Sequence, residues 1–274
     1  MIARARLALN TATLGHNLPG HGAGWSPEQV IDACAARGFG GLVFWRPEIG
    51  DRAAEIGDRT RAAGLRVDGL CRTPYLTGRD AGSDDDLAAS IDMAAALGAP
   101  VLTIVTGGSE TGTKGLADSR RHLADRLGPA CDRARAAGVR LALEPLNPMF
   151  GGNRTVIFTL RDALEICDAV GDPALGIAVD VYHVWWDTRL AESCAAAGDR
   201  IAGLHLCDWL ENTSHMLLDR GMMGDGVADI AGIRAAVEAA GYQGPCEVEV
   251  FSTDWWARDP NDVLDAILDR LPLC

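Results

Sequence analysis

Strand-like and helix-like segments alternate eight times along this chain, and this alternation constrains the fold more than any other feature. Each unit is a short apolar run followed by a helical segment, and successive units begin at intervals of roughly 25 to 40 residues. No Pro/Ser-rich linker or run of charge divides the 274 residues. These observations predict an α/β fold with a single domain over residues 1–274, a (β/α)8 TIM barrel. An open dinucleotide-binding sheet is disfavoured, because no G-x-G-x-x-G follows the first strand.

Helix signals and apolar runs set the expected element boundaries. Ser26 with Pro27 and, later, Thr159 mark helix starts, and Gly138 marks a helix end. The predicted strands are about 5–10, 41–45, 65–70, 100–105, 139–144, 175–180, 201–205 and 245–251. A long loop, 208–226, is expected between the seventh strand and the helix that follows it.

Composition excludes several classes of protein. A formal charge of −13 argues against a nucleic-acid partner, and no stretch is long and apolar enough for a membrane helix, so no membrane partner is expected. The first residues lack the apolar core of a secretory signal, which predicts a cytoplasmic protein. Eight cysteines are scattered without a C-x-x-C pair, so neither a disulfide framework nor a structural zinc site is indicated.

Ionisable residues stand at the ends of the last four predicted strands. The apolar run 139–144 delivers Glu144, and later strands end in Asp180, His205 and Glu249. In a barrel all strands open on one face, so these side chains are expected to converge there. Three carboxylates and an imidazole suit a divalent cation with open positions; Mn²⁺ is favoured, with Mg²⁺, Co²⁺ or Zn²⁺ as alternatives. Glu247 shares the strand parity of Glu249, and Glu249 is preferred because it lies nearer the catalytic end.

Short motifs in the second half of the chain carry a family resemblance. They are Leu141-Ala142-Leu143-Glu144-Pro145, Val179-Asp180-Val181-Tyr182-His183, the strand ending in His205, Asp219-Arg220 with Gly224-Asp225-Gly226, and Gly241-Tyr242-Gln243-Gly244 before Glu249. In this order and spacing the chain resembles the sugar phosphate isomerase/epimerase family, the xylose isomerase-like TIM barrels, and within it is similar to 2-keto-myo-inositol isomerase and the ketose 3-epimerases. The resemblance spans all eight units and is strongest over residues 138–252.

The resemblance implies roles for individual residues. Glu144, Asp180, His205 and Glu249 match the metal ligands of the family. Glu144 and Glu249 also match its acid/base pair, which exchanges a proton on opposite faces of a substrate carbon. His183 and Arg220 match residues that contact substrate oxygens.

Proton transfer next to a carbonyl group requires residues of these types. Removing a proton next to a carbonyl leaves an enediolate, which a divalent metal stabilises while carboxylates take and return the proton. A metal-dependent isomerase or epimerase acting on a sugar, keto-sugar or cyclitol is therefore expected. If a leaving group lies β to the same carbon, the apparatus catalyses elimination, so a lyase acting on a keto-sugar or keto-glycoside is the alternative.

Further candidates have an ordinary structural explanation beside the functional one. Trp185, in the loop after strand six, either packs against the protein core or lines a sugar pocket. The same two explanations apply to Trp45 at the end of strand two. His16 lies in a Gly/Pro-rich loop, where its side chain is either exposed to solvent or in contact with substrate. Because no basic cluster beyond Arg220 accompanies the loop 207–226, an unphosphorylated small-molecule substrate is preferred. Association as a homodimer or homotetramer stays open.

Overall fold

Eight parallel strands close into a barrel in the computed structural model, which describes residues 2–274. The strands are β1 (Leu7–Asn10), β2 (Gly41–Trp45), β3 (Arg66–Cys71), β4 (Val101–Ile104), β5 (Arg140–Leu143), β6 (Leu175–Asp180), β7 (Ile201–Leu206) and β8 (Cys246–Val248). Each strand pairs with its neighbours in chain order, and β8 pairs with β1 to complete the ring. The predicted α/β class and (β/α)8 TIM barrel are confirmed.

A helix follows each strand on the outside of the barrel. The helices are α1 (Pro27–Ala36), α2 (Ala53–Ala62), α3 (Asp84–Leu97), α4 (Ala117–Ala137), α5 (Leu160–Val170), α6 (Leu190–Ala197), α7 (Ile230–Ala239) and α8 (Pro260–Arg270). Local sequence sets their ends as expected: the Ser26 side chain caps α1 with Pro27 in its first turn, and Gly138 ends α4 with a φ of 70°.

The eighth strand is shorter than predicted, because the chain beyond Glu249 pairs with a loop and not with the barrel. The amide of Arg220 donates to the Phe251 carbonyl at 2.9 Å, and the amide of Thr253 donates to the Leu218 carbonyl at 3.1 Å. The same loop contains an antiparallel pair of short strands, Asp208–Trp209 and Arg220–Gly221. Sequence analysis predicted only a loop there, since two-residue strands carry no recognisable pattern.

Apolar side chains from the strands and from the inner faces of the helices form a continuous core. All eight cysteines are buried free thiols, consistent with the scattered spacing in the sequence. Within residues 2–274, no helix combines the length and the apolar character required to cross a bilayer.

Gly57 provides a test of how closely α2 and α3 pack. A Cβ at this position would lie 2.2 Å from the Leu97 carbonyl oxygen at the end of α3. We expect Gly57→Ala to lower the free energy of unfolding by about 1–3 kcal/mol, measured by urea denaturation, because the helix backbones must separate. Asp58→Ala, at the exposed next position of α2, is the control and should change it by less than about 0.5 kcal/mol. Equal losses in the two variants would contradict close packing at Gly57.

Candidate metal and substrate site

Four ionisable side chains converge at the carboxyl ends of β5 to β8. Each of Glu144, Asp180, His205 and Glu249 is buried and offers one ligand atom, and these four atoms all lie within 4.8 Å of one another. Backbone pairing holds two of them at the rim: the amide of Glu144 donates to the Ile104 carbonyl at 2.9 Å, and that of Glu249 to the Leu206 carbonyl at 3.0 Å. The structure therefore brings together the four residues that the sequence singled out.

Two polar atoms of the clustered side chains, one in Glu144 and one in His205, have no hydrogen-bond partner among the residues that the structure describes. Nδ1 of His205 lies 2.9 Å from Oε1 of Glu144, but the two atoms are not aligned for a hydrogen bond, and both are buried. Buried polar atoms nearly always have partners, so a pair left unsatisfied and side by side needs another group. A divalent cation shared by these atoms would supply it, and the donor set suits a hard or borderline cation.

Asn10, the last residue of β1, fixes the carboxylates of β8 from the other side. Its Nδ2 donates to Oε1 of Glu247 at 2.5 Å and to Oε1 of Glu249 at 2.9 Å. Its Oδ1 accepts from the indole N–H of Trp45 at 2.7 Å. Asn10 thus links Trp45 to two buried acids.

Glu247 occupies a different place from Glu249. Oε2 of Glu247 lies 3.4 Å from Nε2 of His205, on the ring edge opposite the cluster. A second grouping, Cys71 with Glu247 and Glu249, is less suited to a cation, because Asn10 already donates to both carboxylates. The geometry therefore groups Glu249 with the other candidate ligands and leaves Glu247 to orient the imidazole.

Arg220 crosses the site as a buried guanidinium. Its Nη1 lies 2.8 Å from Oδ2 of Asp180 and 3.0 Å from Oε2 of Glu249. The guanidinium also stacks on the rings of Tyr182 and Phe251, 4.5 and 4.3 Å from their centroids. This fixes the guanidinium against two of the four clustered residues, where a substrate oxygen would also meet it.

His183 is held in one orientation beside Arg220. Burial lowers the pKa of His183 to about 4, so the imidazole is neutral at physiological pH. Nδ1 accepts a hydrogen bond from the amide of Asn147 at 3.2 Å, which assigns the ring proton to Nε2. Nε2 lies 3.3 Å from Nη2 of Arg220, which is itself a donor and cannot accept its proton, so Nε2 can donate to a substrate oxygen.

Burial and mutual repulsion shift the pKa values of the clustered groups. Burial, reinforced by the charges of Glu144 and Asp180, raises the pKa of Glu249 well above its usual range. Burial alone would lower the pKa of His205, but the facing charges of Glu247, Glu144 and Glu249 raise it well above its usual range. The site therefore holds more negative charge than its own cations balance comfortably, as expected where a divalent ion binds.

The cavity above the cluster contains predicted and unpredicted residues. Trp45, His183 and Arg220 line it, as the sequence analysis expected of substrate-binding groups. Arg72 and Arg154 also line it, and both were missed. Arg72 is the residue directly after β3, so the rule that barrel strand ends face the site could have found it; Arg154 lies in the irregular loop after β5 and carries no such signal.

Two predicted substrate contacts lie outside this cavity lining. Trp185 packs against the core, with its ring 5.5 Å from that of Trp209, which is the ordinary structural explanation. His16 is not a solvated loop histidine: its side chain is 6% exposed, and Nδ1 lies 2.5 Å from Oε2 of Glu48. A substrate role for either residue stays a prediction that would require the surrounding loops to move.

Comparison with known proteins identifies the family. A family model described as xylose isomerase-like TIM barrel matches residues 31–272. The chain belongs to this family. A ketose 3-epimerase of Arthrobacter globiformis is 28% identical over 151 residues, covering 55% of this chain and 47% of that protein. A 3-dehydroshikimate dehydratase of Pseudomonas aeruginosa is 29% identical over 237 residues, covering 83% of this chain and 32% of that protein. The matched region thus spans less than half of either curated relative.

Solved structures support the same placement. Protein SMc04130 from Sinorhizobium meliloti 1021 is 41% identical, with a TM-score of 0.90 and 98% of both chains covered. IolI protein with a bound zinc atom has a TM-score of 0.81 at 17% identity, with 97% of this chain and 96% of that chain covered. D-allulose 3-epimerase from Methylomonas sp. in complex with D-allulose has a TM-score of 0.74 at 22% identity, with 98% of both chains covered. The last two likenesses show the fold alone.

Removing the Asn10 amide tests its role in holding the buried acids. Asn10→Ala leaves Oε1 of both Glu247 and Glu249 without its donor, so we expect the metal-free protein to lose about 1–3 kcal/mol in its free energy of unfolding. Urea denaturation in the presence of a chelator measures the loss. Asn153→Ala, at an exposed position, is the control and should leave stability nearly unchanged. A stable Asn10→Ala protein would show that water replaces the amide without cost.

Proposed function

We propose that this protein is a divalent-metal-dependent isomerase or epimerase that moves a proton next to the carbonyl group of a sugar, keto-sugar or cyclitol. The observation that carries the proposal is the buried cluster of Glu144, Asp180, His205 and Glu249, in which one atom of Glu144 and one of His205 lack any hydrogen-bond partner within residues 2–274. Such a cluster at the carboxyl end of a barrel, beside a lined cavity, is where this fold performs catalysis. The similarity to a protein named as a ketose 3-epimerase supports the reaction class.

The four clustered residues would hold the cation, with Mn²⁺ favoured for its tolerance of mixed oxygen and nitrogen ligands. When bound, a divalent cation supplies Lewis-acid stabilisation of the charge that develops on the substrate oxygens. IolI with its zinc atom shares this fold, which makes Zn²⁺ a serious alternative.

The protein side chains would divide the remaining work. Glu144 and Glu249 lie at the ends of strands three places apart in the barrel, so one carboxylate can remove the proton and the other can return it on a different face. Nε2 of His183 would donate to a substrate oxygen, and Arg220 would bind a second one. Trp45 and Phe251 would close the cavity against water.

A lyase is the second candidate, because a 3-dehydroshikimate dehydratase aligns with most of this chain. The same proton abstraction leads to elimination when the neighbouring carbon carries a leaving group. The first step and its residues are then shared, and the substrate decides the product.

Metal binding depends on the clustered residues in this proposal. We expect Glu144→Gln and Asp180→Asn each to weaken Mn²⁺ binding by at least about 100-fold, and Glu247→Gln by a smaller factor of about 10, because Glu247 contacts the imidazole and not the ligand cluster. Calorimetric titration of the chelator-treated protein measures the affinities.

The exposed Glu165→Gln of α5 is the matched control and should bind Mn²⁺ as the unaltered protein does. If the unaltered protein binds none of Mn²⁺, Mg²⁺, Co²⁺ and Zn²⁺, the proposed metal site is wrong. If Glu247→Gln is affected more strongly than Glu249→Gln, the choice between these two acids must be reversed.

Solvent deuterium tests the proton transfer. We expect the metal-loaded protein in D₂O to incorporate deuterium at the carbon next to the carbonyl of at least one ketose or ketocyclitol, and Glu144→Gln and Glu249→Gln each to reduce the rate by at least about 100-fold. Proton NMR follows the exchange, and ultraviolet absorbance detects an unsaturated product if elimination follows. Unchanged rates in both variants would exclude these carboxylates as the acid/base pair.

A further inference from the structure

Two arginines in the cavity wall have no carboxylate partner. Arg72 and Arg154 line the same cavity as the clustered acids, yet neither forms an ion pair with any Asp or Glu of residues 2–274. Most other arginines of this acidic chain do form such pairs, including Arg220 within the site. The two are therefore unusual in a protein with abundant acidic groups.

Both guanidinium groups are positioned by aromatic rings and leave their N–H edges largely free. The Arg72 guanidinium lies 4.2 Å from the centroid of the Tyr75 ring and donates one hydrogen bond, to the Thr73 carbonyl at 3.1 Å. The Arg154 guanidinium lies 5.4 Å from the Phe150 ring and makes no side-chain hydrogen bond within the described chain. Stacking fixes the plane of a guanidinium while its donors stay available for a bidentate oxyanion.

The positive charges of Arg72 and Arg154 also repel each other. Burial lowers the pKa of Arg72, and the neighbouring charge of Arg154 lowers it further. Holding two like charges in one partly buried cavity is unfavourable unless an anion joins them. Arg220, and not these two, provides the guanidinium that contacts Asp180 and Glu249, so Arg72 and Arg154 are not used to balance those acids.

Arg72 and Arg154 come from other parts of the barrel rim than most of the clustered residues. Arg72 follows β3 and Arg154 lies in the loop after β5, whereas the four clustered residues come from the ends of β5 to β8. Because both arginines line the same cavity as Glu144 and Glu249, a substrate with its carbonyl group at the cluster would also contact them.

We infer that the substrate carries an oxyanion group, a carboxylate or a phosphate, that Arg72 and Arg154 bind while its carbonyl end lies at the four clustered residues. The inference rests on the proposed function for the carbonyl end and adds an anionic substrate class to it. The sequence analysis preferred an unphosphorylated substrate; a carboxylate agrees with that preference and a phosphate differs from it, because the sequence did not reveal either arginine as part of the site.

Binding of matched neutral and anionic ligands tests the inference. The Mn²⁺-loaded protein is titrated calorimetrically with D-fructose, with its phosphate ester D-fructose 6-phosphate, and with the keto acid 5-keto-D-gluconate. We expect at least one anionic ligand to bind about tenfold or more tightly than D-fructose, since two charge-assisted contacts are added. Tighter binding of the ester assigns a phosphate, and tighter binding of the keto acid assigns a carboxylate.

Variants then connect this preference to the two arginines. Arg72→Gln and Arg154→Gln should each reduce anion affinity about tenfold and D-fructose affinity by a much smaller factor, while Arg72→Lys and Arg154→Lys retain part of the preference. Arg79→Gln, an exposed arginine in the same β3–α3 loop, is the matched control and should change nothing. Unchanged Mn²⁺ affinity in every variant verifies that the barrel has folded.

Two results would overturn the inference. One is D-fructose binding at least as tightly as both anions, or no measurable binding of either anion; the other is an equal loss for all three ligands in the Gln variants. If deuterium exchange into D-fructose persists in those variants without any anion preference, the proposed function stands and this inference fails. If the anions bind through the arginines but no substrate exchanges deuterium, the proposed function fails and the anion-binding site remains.

Discussion

Several carboxylates are buried within a few ångströms of one another at one end of the barrel, and the rest of the site depends on how that charge is balanced. Arg220 contacts Asp180 and Glu249, and Asn10 donates to Glu247 and Glu249. These contacts leave one oxygen of Glu144 and one nitrogen of His205 without a hydrogen-bond partner in residues 2–274. Holding such a cluster of buried acids together lowers the stability of the fold and keeps the geometry ready for a ligand, as functional sites often do.

Different strands of the barrel supply the acidic side chains and the cavity-wall side chains of the site. Strands β5 to β8 supply the acids and the imidazole, whereas the ends of β2 and β3 supply Trp45 and Arg72. The clustered acids and the two guanidinium groups without acidic partners favour a substrate that is polar at both ends. In the proposed function, differences in the loops that carry Arg72 and Arg154 change the substrate without disturbing the clustered residues, which fits the similarity of this chain to both an epimerase and a dehydratase.

The fold and the cluster of four ionisable side chains were predictable from the sequence for a specific physical reason. Parallel strands are buried on both faces, so they appear as apolar runs, and an ionisable residue that ends such a run is conspicuous. Glu144, Asp180, His205 and Glu249 were all recognisable in this way, and barrel closure alone makes strand ends meet. Trp185 and His16 were less tractable, because a loop side chain has no periodic neighbours that reveal which way it points; packing directed the first to the core and the second to Glu48.

The sequence by itself determined the eight-unit alternation, and with it the barrel and the set of residues at the strand ends, because hydrophobic periodicity and helix caps are local properties of the chain. Only the tertiary structure decided that Glu247 and Glu249, which share one strand parity, face different nitrogen atoms of the His205 ring. It also revealed that Arg72 and Arg154 share a cavity and lack acidic partners within residues 2–274. Whether a charge is paired depends on residues distant in sequence, and therefore becomes visible only when the barrel has closed.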